Sequence, residues 1–186
     1  YSLALNQVYK RIKDIPGHII ELGAGKGRNS IIFGTLINNY GESEFRHYFG
    51  FDTFTGYINN DIKNKPHLKK IDLNYEENLY LNLKELLRKI HLDNNVTLIR
   101  GDLNTSLKNF VENGIEDRFL PKGLVVSLVY VDCNIFKITL NSLNILKDYL
   151  SENALIVIDE CFQGDETQAL KKFAEDNNQK ILSGNF

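Results

Sequence analysis

The sequence predicts an α/β fold, a mostly parallel central sheet with helices on both faces. Three observations predict it. Short apolar runs alternate with amphipathic runs along the whole chain. One run, "GLVVSLVYVD" (123–132), is apolar at nearly every position, as expected of a strand buried on both faces. An earlier run, "GHIIELGAGKG" (17–27), closes on an acid and alternating glycines, a backbone that a ligand can approach closely.

The elements follow in order. "SLALNQVYKRIKDI" (2–15) is a helix, because Leu3, Leu5, Val8, Ile12 and Ile15 are spaced for one face. Pro16 and Gly17 break it, and "GHIIEL" (17–22) is the first strand. "RNSIIFGTLINNY" (28–40) is a helix and "HYFGFD" (47–52) the second strand. The polar stretch 53–74 is long for a compact domain; loops of that kind are lids or disordered. A helix near Tyr75 to Leu92 carries Leu79, Leu83, Leu86, Leu87 and Ile90 on one side, as core or as a subunit contact in a homo-oligomer. "VTLIRGD" (96–102) is strand three, and "TSLKNFVENG" (105–114) is a short helix capped by Thr105 and closed by Gly114. After strand four come a helix over 136–150, strand five "NALIVIDE" (153–160), a helix over 165–178, and the start of a sixth strand, "QKILSGNF". No repeat, low-complexity tract or linker interrupts the pattern, so 1–186 reads as one domain.

Composition narrows the function. With 42% hydrophobic and 25% charged residues, the chain is of ordinary globular type. A net charge of -2 argues against a duplex nucleic-acid binder, which carries a basic stripe. No stretch approaches the roughly 20 apolar residues of a membrane span. Cys133 and Cys161 make neither a disulfide framework nor a zinc site, and reduced, cytoplasmic thiols are the default reading. The chain starts at Tyr1 and contains no Met, so it reads as a piece of a longer protein.

The glycine loop points to a cofactor. The helix after it aims free N–H groups at the ligand and favours an anionic end there. A dinucleotide fingerprint needs a third glycine at position 28, which is Arg28, and no phosphate-binding P-loop pattern is present. The spacing is instead E-x-G-x-G-x-G, from Glu21 through Gly23, Gly25 and Gly27, with Ala24 inside it. This resembles motif I of the class I S-adenosylmethionine-dependent methyltransferases. Two more strands end in acids. Asp52, followed by Thr53, closes "GFD" and can accept hydrogen bonds from both hydroxyls of a ribose; a turn cap is the alternative. Asp102 closes "RGD", where such a fold reads an adenine amino group.

Strands four and five end in acids as well: Asp132 in "VYVD", Asp159 and Glu160 in "VIDE". Buried carboxylates are costly unless paired or bound to a cation. Three converging on one edge suit a hard cation, Mg²⁺ above all, unless each caps a turn or pairs in a salt bridge.

"PGHIIELGAGKGRNS", "YFGFDTFTGY", "VYVDCNIFKITLNSLNIL" and "ALIVIDECFQGDETQALKKFAED" together resemble the macrocin O-methyltransferase family of sugar and natural-product enzymes, from Pro16 to Asp176. That family carries roughly D-G-D-x-Y-x-S-T after strand four. Asp132 and Thr139 match it; Asn134, Phe136 and Ile138 stand in for the second acid, the tyrosine and the serine. After strand five, Asp159 matches, Glu160 is a longer acid and Cys161 replaces an aromatic. The resemblance implies a Rossmann-like class I methyltransferase fold with a small hydroxylated acceptor. It implies S-adenosylmethionine on the glycine loop, Asp52, Asp102 and Asp132. It also implies a divalent metal on Asp132, Asp159 and Glu160, with Asp132 as base. The sheet of such a fold ends in an antiparallel hairpin, so a seventh strand is expected beyond Phe186. Competing readings are a methyltransferase acting on RNA or protein, and a degenerate cofactor-binding module. The cysteines read as packing residues, and His67 in the expected lid is the remaining catalytic candidate among the four histidines.

Overall fold

The computed structural model describes residues 1–58, 77–115, 123–159 and 164–181. In chain order, the elements are α1 (Ser2–Ile12), β1 (His18–Leu22), α2 (Arg28–Asn39), β2 (Tyr48–Asp52), α3 (Leu79–Lys89), β3 (Val96–Arg100), α4 (Leu103–Asn113), β4 (Val126–Val131), α5 (Phe136–Leu146), β5 (Leu150–Ile158) and α6 (Asp165–Asp176). The strands form one sheet in the order β3-β2-β1-β4-β5, and every described pairing is parallel. The chain runs outward from β1 to β2 and β3, then returns to lay β4 on the other side of β1. In open α/β sheets, ligands bind at such a reversal, outside the carboxyl ends of the strands.

Alternation along each strand divides the core between the two faces. Ile19, Tyr48, Leu98, Leu128 and Tyr130 pack with α1, α2 and α3. Ile20, Phe49, Phe51, Val129 and Val131 pack with α4, α5 and α6. The parallel sheet with helices on both faces is thus the fold expected from the sequence.

The differences are local. Asp102, not Thr105, caps α4: its carboxylate accepts the Asn104 N–H at 2.9 Å. The helix predicted over 136–150 stops at Leu146, and a 3₁₀ turn (Lys147–Tyr149) leads into β5 three residues early. On α3, Leu79, Leu83 and Leu87 are buried, while Leu86 and the C-cap Ile90 stay exposed. Residues 179–181 have no regular structure, and the rest of the predicted sixth strand lies outside the described residues, as does most of the expected lid with His67. No helix among the described residues is long and apolar enough to cross a membrane.

The amino end of the sheet is held by polar side chains. Arg46 is 1% exposed and uses every one of its N–H groups. It donates to Glu42, to the Gly17 carbonyl at 2.7 Å, to Ser127, and to the Ile12 and Ile15 carbonyls at 3.0 and 2.9 Å. One guanidinium therefore joins the end of α1, the start of β1 and β4. Beside it, the His47 ring contacts Thr97 at 2.8 Å, and the His47 N–H donates to His18 Nδ1 at 3.1 Å.

Burial, with His18 close by, pulls the His47 pKa down to about 3; burial and then Arg46 lower that of His18. Both rings are neutral in the fold at pH 7, whereas the unfolded chain gains their protons below pH ~6.5. Their contribution to stability is intact above that pH and is lost as pH falls below it, for His47 down to about 3. Each titrating ring contributes a slope of up to about 1.4 kcal/mol per pH unit. Urea unfolding between pH 7 and pH 4 should show this loss, and His47→Gln should flatten it by up to one proton's worth.

Candidate active site

The glycine loop is fixed by both neighbours of β1. The N–H groups of Gly23 and Ala24 both donate to the Phe51 carbonyl, and Asp132 N–H donates to the Leu22 carbonyl. Gly23 has φ +98°, and a Cβ on it would lie 2.0 Å from the Asp132 carbonyl oxygen. Only glycine lets β1 and β4 end this close together. Gly27, at φ +76°, is the N-cap of α2, and a Cβ there would strike Leu83 of α3 at 2.9 Å.

Beyond these turns lies a cavity of about 370 Å³. Its lining includes Gly23, Gly25, Lys26, Asp52, Thr53, Tyr57, Asp102, Leu103, Asp132, Cys133, Asn134, Ile135 and Ile138. Of the residues predicted to bind a cofactor, Gly23, Gly25, Asp52, Thr53, Asp102 and Asp132 therefore share one cavity. Ala24, Gly27 and Glu21 do not line it.

Asp52 is held in place from two sides: Gly25 N–H donates to Oδ2 at 2.9 Å and Phe54 N–H to Oδ1 at 2.7 Å. Burial raises its pKa, and these bonds oppose the rise. Thr53 turns its hydroxyl to the Gly56 carbonyl at 2.6 Å and closes the bend after β2. Tyr57, at the end of that bend, shares a side-chain hydrogen bond with Asn134; burial, then the nearby Asp132, push its phenol up to about 12. The Asn134 amide donates weakly to Asp132 Oδ1 at 3.4 Å.

Glu21 is buried beneath the loop. Asn29 donates to one of its oxygens at 2.6 Å and the Tyr48 hydroxyl to the other, while Ser30 donates to Tyr48. Burial raises its pKa well above the carboxylate range; Asn29 opposes this, and Asp132, Asp52 and Asp159 add to it. Its position ties the first turn of α2 to β1 and β2. Glu21 shares a strand face with Ile19, the face covered by α2, and lies outside the cavity lining.

Asp159 sits at the end of β5 and accepts from the Tyr130 hydroxyl, outside the cavity lining. Glu160 and Cys161 lie outside the described residues. Among the described residues no three His, Cys, Asp or Glu side chains gather to hold a metal. The expected Mg²⁺ site includes Glu160 and so extends outside the described residues. Cys133 is a packing residue, as read from the sequence. Its sulfur lies 3.2 Å from the Thr139 hydroxyl, and burial, then Glu166, push the thiol up to about 12.

Sequence reasoning missed Glu166. It is fully buried, and one carboxylate oxygen accepts the N–H groups of Cys133 and Asn134, both at 2.6 Å. No local signal marks it, because the partners stand more than 30 residues apart.

The cavity suits a nucleoside-bearing cofactor. Its volume lies within the ordinary range of ligand pockets, roughly 300–1,000 Å³. It pairs carboxylates that can accept from hydroxyls and an amino group with apolar Leu103, Ile135 and Ile138. Fold and site together define a class I methyltransferase.

A family model described as a methyltransferase domain matches residues 20–161. The chain belongs to that family and is an S-adenosylmethionine-dependent methyltransferase. No curated protein matches it. Among solved structures it is similar to CalS11, a calicheamicin methyltransferase, at 24% identity with a TM-score of 0.77; the match covers 94% of this chain and 69% of that one. An apo structure of CalS11, TDP-rhamnose 3'-O-methyltransferase, gives 23% identity, a TM-score of 0.72, and 92% and 68% coverage. The O-methyltransferase NovP gives 16%, 0.71, 94% and 72%. At these identities the likeness is one of fold.

Proposed function

We propose that this methyltransferase acts as one domain over 1–186 and transfers the methyl group to a hydroxyl of a small molecule, a sugar or natural product. The observation that supports this best is the joint cavity of Gly23, Gly25, Asp52, Asp102 and Asp132, gathered from four strand ends. The similar structures, O-methyltransferases and in one case an enzyme of a nucleotide-linked sugar, support the acceptor class.

S-Adenosylmethionine, when bound, supplies an electrophilic methyl on a cationic sulfur. Asp52 accepts hydrogen bonds from its ribose hydroxyls. Asp102 reads the adenine amino group, and Leu103, Ile135 and Ile138 pack on apolar surface. The glycine loop lets the cofactor approach the backbone. An acceptor hydroxyl must lose its proton to attack, and Asp132 takes that proton at a carboxylate oxygen. Tyr57, whose phenol stays neutral at pH 7, is a hydrogen-bond donor beside that carboxylate.

Metal assistance rests on the family resemblance and on the chemistry of the three oxygen donors it names, Asp132, Asp159 and Glu160. Its check is turnover after removal of divalent ions with a chelator and after return of Mg²⁺. A second reading, cofactor binding without transfer, has one observation in its favour: Asp159 is engaged by Tyr130.

Methyl-labelled S-adenosylmethionine and a panel of nucleotide-linked sugars and hydroxylated natural products separate the readings. The expected result is label on an acceptor oxygen, with Asp132→Asn lowering kcat by about 10²–10⁴-fold. Full turnover by Asp132→Asn on that acceptor would remove Asp132 as base.

A further inference from the structure

We infer that the acidic start of α6 is a clamp on the loop after β4, with Glu166 a positioning residue for Asp132 and Asn134; this rests on the methyl-transfer reading above. Three backbone N–H groups, those of Cys133 and Asn134 in the loop and of Phe136 at the start of α5, are bound by two adjacent carboxylates. Glu166 Oε1 takes the first two at 2.6 Å, and Asp165 Oδ2 takes the third at 2.8 Å.

The loop's own local caps do not supply these bonds. Asn134 is in the left-handed region at φ 59°, and Ile135, the N-cap of α5, makes no side-chain cap bond. Asp165 takes the place of that cap. Carboxylate acceptors make these bonds shorter and stronger than neutral ones. A fully buried glutamate is a costly residue to keep in a core that Ala169 and Phe173 of the same helix already fill. Holding the two amides gives it a function.

The consequence falls on the cavity. Cys133, Asn134 and Ile135 line it directly, and Asp132 precedes them. Asn134 in turn contacts Asp132 and Tyr57. With the clamp in place the loop presents one geometry to the cofactor; without it, the Cys133 and Asn134 amides lose their partner and the turn relaxes.

The test is residue-resolved amide hydrogen exchange on the full chain, paired with calorimetric titration with S-adenosylhomocysteine. The variants are Glu166→Gln, Glu166→Asp and Glu166→Ala. Glutamine keeps an oxygen acceptor at the same reach; aspartate keeps the charge one methylene short. Glu166→Gln should stay within about threefold of the wild-type affinity, while the Asp and Ala variants bind at least about tenfold more weakly. In those two, the Cys133 and Asn134 amides should exchange at least about a hundredfold faster, with Val129 and Val131 of β4 unchanged.

Unchanged loop amides, or equal loss of protection through β4, would overturn the clamp. Should Glu166→Ala not fold, equal affinities of the Gln and Asp variants would overturn it instead. Wild-type protein that binds neither S-adenosylmethionine nor S-adenosylhomocysteine would sink the cofactor-site reading, and the exchange data would still decide the clamp.

Discussion

Gly23→Ala is expected to lower the unfolding free energy by about 3 kcal/mol and to weaken S-adenosylmethionine binding at least about tenfold. A Cβ at this position would meet backbone only: the Asp132 carbonyl oxygen at 2.0 Å, its carbon at 2.6 Å and Cys133 N at 3.1 Å. No flexible side chain can move aside, so the ends of β1 and β4 must separate. That separation breaks the Asp132 N–H bond to the Leu22 carbonyl and moves Asp132 in the cavity. The positive φ adds its own strain. Gly41→Ala is the control, because Gly41 has φ +70° and nothing within 4 Å of a built Cβ. It carries strain without collision, roughly 1–2 kcal/mol, and leaves the cavity intact. Urea unfolding and calorimetry on both variants read the difference. Equal effects from the two substitutions would contradict the close approach of β1 and β4.

Arg46→Ala is the second large effect, a loss of roughly 3–5 kcal/mol of stability. The substitution leaves Glu42 buried at 6% exposure without its cation. It also strips partners from the Gly17, Ile12 and Ile15 carbonyls, where α1 ends and β1 begins. Tyr9 still donates to Glu42 at 2.6 Å, which moderates the loss without cancelling it. Arg46→Lys should recover little, because an ammonium has three donors and no planar fork. Affinity for the cofactor, measured below the unfolding temperature, should change little, because the guanidinium sits at the opposite end of the sheet. A stable Arg46→Ala protein would contradict the reading of this residue as a staple.

The fold was legible because parallel strands buried on both faces read as apolar runs separated by amphipathic ones. The same topology explains why half of the site was legible. A parallel sheet sends every strand end to one edge, so acids closing strands one after another, Asp52, Asp102 and Asp132, meet there. Glu21 lies outside the cavity lining, because strand alternation puts it with Ile19 under α2. The boundary errors have local causes. "KDYL" continues the helical spacing of α5 but turns into β5, and Asp102 competes with Thr105 as a cap and wins. Glu166 and Arg46 were not legible. Each acts on backbone groups brought to it by tertiary structure, and no spacing in the sequence encodes that.

The proposed function depends on S-adenosylmethionine binding in the cavity at the ends of β1, β2, β3 and β4. Calorimetric titration of the wild-type protein and Asp52→Ala, with NAD as the competing ligand, tests it most directly. S-Adenosylmethionine should bind, Asp52→Ala should weaken that binding at least about tenfold, or about 1.4 kcal/mol, and NAD should not bind. A folded wild-type protein that ignores S-adenosylmethionine, or an Asp52→Ala variant that binds it equally well, would contradict the site described above.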